Sequence, residues 1–353
     1  MTINPKSFVF DSTAALDKSR QERKYMQDNS HLALQFPIPE LRYYFHPTMP
    51  GRVALVIAQS HNFKTEFMNF WAKTAAVDLA DRMKQGKKRG VIVKISMEDA
   101  VEGIVESEIA AMRGGKLDDI SQGIIKDADK FLTAETSVGG LPIIRIGESL
   151  GMEDSDASQL YLSNIAELIH YVKYDHYGEE TPIAGIFCDY LQSLPPDPES
   201  ALAKNVTDSK TQQIERDTNT FRRMAKRFST AGVMLAQSPS DASLSTINEQ
   251  IKLPGYWDIH WSKYPAMRAD FMYSLWMPKM HYSIGDWVDN KIGKNVISDW
   301  NFKVENNSLW IKSLKHKKYT NVGASFPLSV TENGNVDFNS ELYGRIKKMG
   351  KGE

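Results

Sequence analysis

The chain has 353 residues, of which 41% are hydrophobic and 25% charged, with a formal net charge of −1. That balance is ordinary for a globular protein, and the length suits one large α/β domain or two smaller ones. It excludes a polycationic chain, so any nucleic-acid contact must come from a local patch or from a ring of subunits.

The N-terminal residues MTINPKSFVFDSTAALDKSRQERK lack the basic start and apolar core of a secretion signal. No apolar run approaches the ~20 residues that a membrane span needs. The single cysteine, Cys188, leaves no internal disulfide and fits a reducing compartment. The expectation is a cytoplasmic protein. Residues 12–28 read as a helix with few large apolar residues, which must dock on something else. FPIPELRYYFHPTMPG, residues 36–51, holds four prolines and a glycine and reads as a turn-rich entry segment.

From residue 51 strands and helices alternate. Strand-like runs are RVALVIA, GVIVKIS, LPIIRIG, IAGIFCDY, AGVMLAQ, DFMYSLWM and SLWIKSL; helical patterns cover 65–84, 98–112, 117–132, 155–174 and 211–229. Several strands are continuous apolar runs, as strands buried on both faces of a parallel sheet are. Alternating β and α patterns then predict a right-handed βαβ-wound, mostly parallel α/β sheet. Residues 193–210 and 238–262 read as two long loops. The tryptophans near 257–300 read as core or subunit-contact residues, and GRIKKMGKGE as a frayed basic tail.

The stretch VALVIAQSHNFKTEF, residues 53–67, has the layout of a phosphate-binding loop, strand–GxxxxGK[ST]–helix. Lys64 and Thr65 offer an ammonium group for phosphates and a hydroxyl for Mg²⁺. Ala58 and Phe63 stand where the two glycines belong. Either Phe63 takes a positive φ at a cost of about 1–3 kcal/mol, or His61 and Asn62 absorb the turn and Phe63 packs its ring at ordinary angles. Three more polar residues close strands: Glu98, a candidate base that activates water or a plain helix-start glutamate; Asp189, a candidate Mg²⁺ ligand or a capping aspartate; and Gln237, a phosphate sensor or a loop brace. In a parallel sheet all would share one edge.

On these residues the chain resembles the RecA-like ATPase domain of DnaB-type replicative helicases over roughly 36–330. SMEDAVEGI, IFCDYLQSL and the stretch QQIERDTNTFRRMAKRFSTAGVMLAQ are similar to that family's motifs. The resemblance implies a ring, expected to be a hexamer, that hydrolyses ATP with Mg²⁺ at subunit interfaces and moves on single-stranded DNA. It assigns Lys64 to phosphate, Thr65 and Asp189 to Mg²⁺, Glu98 to the attacking water and Gln237 to sensing. LKHKKYTNVG resembles the segment that reaches the neighbour's nucleotide, which implies trans roles for Lys315 and Lys317. The DNA-facing loops would be 193–213, which carries Lys204 and Lys210, and 238–262, and helix 12–28 stands where the family's linker helix docks on the next subunit. The implied layout is an arm and linker helix at 1–35, an ATPase domain at 36–335 and a tail at 336–353.

The departures are specific. Both loop glycines are replaced, the finger arginine appears as Lys317, which loses the bidentate fork, and the stretch from Glu98 to Asp189 is longer than the family's. A non-hydrolysing oligomeric scaffold with a decayed nucleotide site therefore stands beside the helicase reading, with a RecA-like regulatory ATPase as a third.

Overall fold

All seven strand-like runs enter one nine-stranded sheet. The computed structural model describes residues 11–28, 30–86, 90–97, 100–106, 142–157, 159–198, 210–239, 254–288, 291–292, 295–296, 302–316, 323–331 and 334–350. In chain order the sheet strands are β1 (Val53–Ala58), β2 (Val91–Ser96), β3 (Ile143–Gly147), β4 (Ile183–Asp189), β5 (Ala231–Gln237) and β6 (Phe271–Trp276). The last three are β7 (Ser308–His316), β8 (Ser325–Val330) and β9 (Val336–Phe338). The spatial order is β9-β8-β7-β6-β1-β5-β4-β2-β3. β1 to β6 are mutually parallel; β7, β8 and β9 add an antiparallel edge.

The burial of β1 explains its sequence. Val53, Leu55 and Ile57 point into one apolar layer with α3 (Leu162–Tyr174) and α4 (Lys210–Arg227). Ala54, Val56 and Ala58 point into the other, with α2 (Lys64–Lys84) and the 36–45 segment. A strand covered on both faces has no place for polar alternation. On α2, Phe67, Met68, Trp71, Ala72, Ala76, Leu79 and Ala80 form the buried stripe. The Trp71 indole N–H donates to the Gln35 carbonyl at 2.7 Å, pinning the entry segment to the helix. Gly232 lets α4 approach β5 closely, because a Cβ there would lie 2.7 Å from the Phe221 ring.

Two expectations are corrected. The helix drawn over 155–174 is broken: a single turn, Asp154–Ala157, is followed by α3, whose preceding residue Tyr161 is extended. The C-terminal stretch drawn as a tail is β9 followed by α6 (Ser340–Gly350), with Val336 and Leu342 buried. The tryptophans divide, since Trp276 is buried while Trp257, Trp261 and Trp287 are exposed. The pattern at 98–112 is helical at 101–106, and the one at 117–132 lies outside the described residues. Among the described residues no helix is long and apolar enough to cross a membrane.

Candidate functional site

The loop between β1 and α2 replaces glycine in an unexpected way. Phe63 has φ 63° and ψ 26°, the left-handed conformation, and His61 has φ 61°. Phe63 therefore does not keep ordinary angles, and His61 rather than Asn62 shares the turn. The Phe63 ring is half-buried against the core, and that packing holds the strained backbone. Asn62 is a clamp. Its carboxamide oxygen accepts the Met277 N–H at 2.8 Å and its nitrogen donates to the Ser60 carbonyl at 3.0 Å. The loop is thus braced on the end of β6. No side chain caps α2, so its first amides face the loop, where an anion is favoured.

Lys64, 8% exposed, turns its ammonium group toward the neighbouring strand ends and lies 4.2 Å from the Tyr190 ring centroid. Tyr190 directly follows Asp189, which closes β4 and is 1% exposed. Gln237 closes β5, between β1 and β4, beside Ala58 in register. Its side-chain amide donates to the Ser60 hydroxyl. Ser96, the last residue of β2, pairs with Asp189, and the Met97 N–H donates to the Asp189 carbonyl at 3.3 Å. The chain therefore leaves β2 beside Asp189, although Glu98 itself lies outside the described residues. Lys64, Asp189 and Gln237 share one sheet edge, as Thr65 in the first turn of α2 does.

Two features had no sequence signal of their own. The Gln59 carboxamide is buried, and neither its oxygen nor its nitrogen has a hydrogen-bond partner among the described residues. Tyr190, under the Lys64 amine, was visible only as part of IFCDYLQ. Cys188 is a core residue: burial first, then Asp189 and Asp217, pushes its thiol up and keeps it protonated.

The outlying candidates are not gathered at this edge in the same way. The Lys315 ammonium donates to the carbonyls of Ala266 and Met267 at 2.6 and 3.0 Å, at the end of the short helix α5 (Tyr264–Arg268). Lys210, expected in a loop, is the first residue of α4; its amine donates to Gln213 at 3.2 Å, and burial lowers its pKa. Lys204 and Lys317 lie outside the described residues.

Chemically, an uncapped helix start, a buried ammonium, a hydroxyl and a buried carboxylate lie along one sheet edge. Such groups suit a polyanion and an oxygen-liganded cation. Among the described residues no group of three or more His, Cys, Asp or Glu could hold a metal alone, so a divalent ion here would complete its shell from the anion or water.

The solved structures settle the architecture. One, an isolated ATPase domain, superposes with a TM-score of 0.63 over 93% of this chain and 99% of that one, at 16% identity. The chain has the RecA-like ATPase-domain fold. A second, a DnaB-like replicative helicase described with its interactions with primase, matches with a TM-score of 0.61 at 17% identity. That match covers 86% of this chain, which spans 63% of the helicase's length. No protein-family model and no curated protein matches the sequence. In the RecA-like fold the edge described above is the carboxyl edge of the parallel strands, where such sheets take ligands.

Proposed function

We propose that the protein is a ring-forming, ATP-dependent DNA helicase or translocase of the DnaB type. The observation that carries this reading is the Lys64 ammonium group lying over Tyr190, beside Asp189, with Gln237 bonded to the same loop. A decayed loop has no reason to keep an ammonium group and a carboxylate buried at one sheet edge.

ATP with Mg²⁺ fits these residues. The uncapped amides of α2 and the Lys64 ammonium suit phosphate oxygens, and Thr65 and Asp189 supply the oxygen ligands that Mg²⁺ takes. The Gln59 amide, buried and without a hydrogen-bond partner among the described residues, is a further polar group that such a ligand would satisfy. When bound, Mg²⁺ supplies charge neutralisation at the phosphates. The chain's own residues do the rest. Lys64 holds phosphate, Glu98 orients water, and Gln237 transmits the state of the site through Ser60. Lys315 and Lys317 reach a neighbour's site once a ring forms, and Lys204 and Lys210 contact single-stranded DNA. The assembly is a homo-oligomer, a hexamer in this reading, joined through α1 (Ser12–Asp28), and it works in the cytoplasm.

The test is ATP hydrolysis by purified protein with and without single-stranded DNA, for wild type and Glu98→Gln. The expected result is DNA-stimulated turnover in wild type, and nucleotide binding without turnover in the variant. No turnover and no nucleotide binding by wild type would overturn the reading in favour of a scaffold.

A further inference from the structure

Two residues of the loop after β1 hold backbone angles that glycine usually supplies, and contacts from outside the loop keep them there. His61 and Phe63 have φ 61° and 63°. Glycine takes such angles at no steric cost, whereas bulkier side chains keep them only where the surroundings over-determine the conformation. Asn62, between the two, is 1% exposed, and its whole carboxamide is engaged. The oxygen accepts the Met277 N–H at 2.8 Å, and the nitrogen donates to the Ser60 carbonyl at 3.0 Å. The same nitrogen lies 3.4 Å from His281 Nε2, a hydrogen bond in the imidazole tautomer that carries its proton on Nδ1.

Met277 and His281 belong to a unit with a core of its own. A single turn, Pro278–Met280, follows Met277, and the His281 and Tyr282 N–H groups both donate to the Pro278 carbonyl, at 2.9 and 3.0 Å. That turn brings the Met277 N–H and the His281 ring to one and the same side chain. Further on, residues 287–288 pair antiparallel with 302–303, and the Gly285 N–H donates to the Val304 carbonyl at 2.9 Å. Trp276, Val288, Phe302, Val304, Trp310 and Leu342 pack together as a cluster distinct from the two layers of the main sheet, with Tyr282 against it. A segment with its own core opens and shifts as a cooperative unit. Asn62 is where the loop takes hold of that unit.

We propose that Asn62 and His281 are positioning residues that couple the loop after β1 to the unit built from 277–288 and 302–304. The unit holds the loop in its anion-receiving shape, doing from outside what glycine does from within. A nucleotide in the loop steadies the unit in return, because coupling between two sites is reciprocal. The effect on ATP rests on the nucleotide reading of the loop given above. The link between loop and unit rests on the hydrogen bonds alone.

The test uses the full chain. Hydrogen exchange is followed by mass spectrometry without nucleotide and then with ATP and Mg²⁺, calorimetry gives the affinity, and thermal melts are run on the same samples. His281→Leu should speed exchange of the loop amides at 59–64, although residue 281 is far from them in sequence. It should also weaken ATP binding about two- to tenfold, as the loss of one hydrogen bond does. His281→Gln, whose side-chain oxygen can accept the same N–H, should retain most of the affinity. Asn62→Leu should weaken binding further, and adding His281→Leu to it should bring no additional loss. In wild type ATP should slow exchange at 277–282, and in Asn62→Leu it should not. Unchanged loop exchange in His281→Leu, or additive losses of affinity in the double variant, would overturn the coupling. Lower melting temperatures beside either of those outcomes would reduce Asn62 to a packing residue. If wild type binds no ATP, the nucleotide reading falls, and the exchange measured without nucleotide still decides the coupling.

Discussion

The ammonium group of Lys64 sits 4.2 Å from the centre of the Tyr190 ring, bridging the helix after β1 to the residue after Asp189. A desolvated amine over an aromatic face gains about 2 kcal/mol, so Tyr190 helps to hold the amine at the sheet edge. Lys64→Ala should abolish nucleotide binding in calorimetry. Tyr190→Leu should weaken it by roughly three- to thirtyfold, since ~1.4 kcal/mol is a factor of ten. An unchanged affinity in Tyr190→Leu would show that the ring has no part in holding the amine.

Phe63→Gly separates strain from packing. The left-handed backbone at Phe63 costs about 1–3 kcal/mol, which glycine would not incur. The ring, however, packs on the core and its loss lowers stability. The variant should melt at a lower temperature yet bind nucleotide more tightly, by up to about tenfold. Phe63→Ala should lose the packing and keep the strain, with lower melting and no gain in affinity. Thermal melts and calorimetry on the pair decide the matter.

Asp217 and His316 set opposing pH dependences. Burial raises the Asp217 carboxyl to about 7, against the pull of Arg216, Gln213 and Lys210 and with a further push from Asp197. Between about pH 4 and 7 the folded state binds that proton more tightly than the unfolded state, so this contribution falls as pH rises. Burial, and then His46, lowers the His316 imidazole to about 4. Its contribution is lost as pH falls from about 6.5 to 4, because the unfolded chain takes the proton first. Asp217→Asn should therefore gain roughly 1–3 kcal/mol at pH 8 and nothing at pH 4. His316→Phe should remove the acid-side loss. Urea midpoints measured from pH 4 to 8 test both signs.

Removing residues 1–30 should shift the particle toward monomers in light scattering. Every described α1 side chain is exposed, including Leu16 at 46%, so none of them is buried within its own chain. An unchanged particle mass would remove α1 from the assembly.

The parallel core was legible because burial on both faces writes continuous apolar runs such as VALVIA and IAGIFCD. The polar residues that end those runs were legible for the same reason: Asp189 and Gln237 interrupt apolar sequence where the strand must stop. The antiparallel edge was harder to read. β8 carries Pro327 and serines, and β9 has three residues, so neither shows a clear period. The broken helix before α3 was masked by good helix formers on both sides of the break. The clamp made by Asn62 on Met277 joins residues far apart in sequence, and only the fold brings them together. Trp257 and Trp261 read as core or subunit-contact residues, as large aromatics usually are; their exposure and the positive φ of Trp261 leave no trace in composition.

The place of β1 at the middle of the sheet governs how the chain can be born. Its partners are residues 232–237 of β5 and 271–274 of β6, both made long after it. A ribosome adding about 5–20 residues per second needs on the order of 10–40 s after making β1 before β6 exists to receive it. Until β5 is made both edges of this apolar strand are open, and until β6 is made one is; such edges recruit other chains. The loop entropy of these distant pairings also slows closure once synthesis ends. The central strand is therefore made first and gains its second neighbour only once β6 is made, and until then its open edge needs shelter.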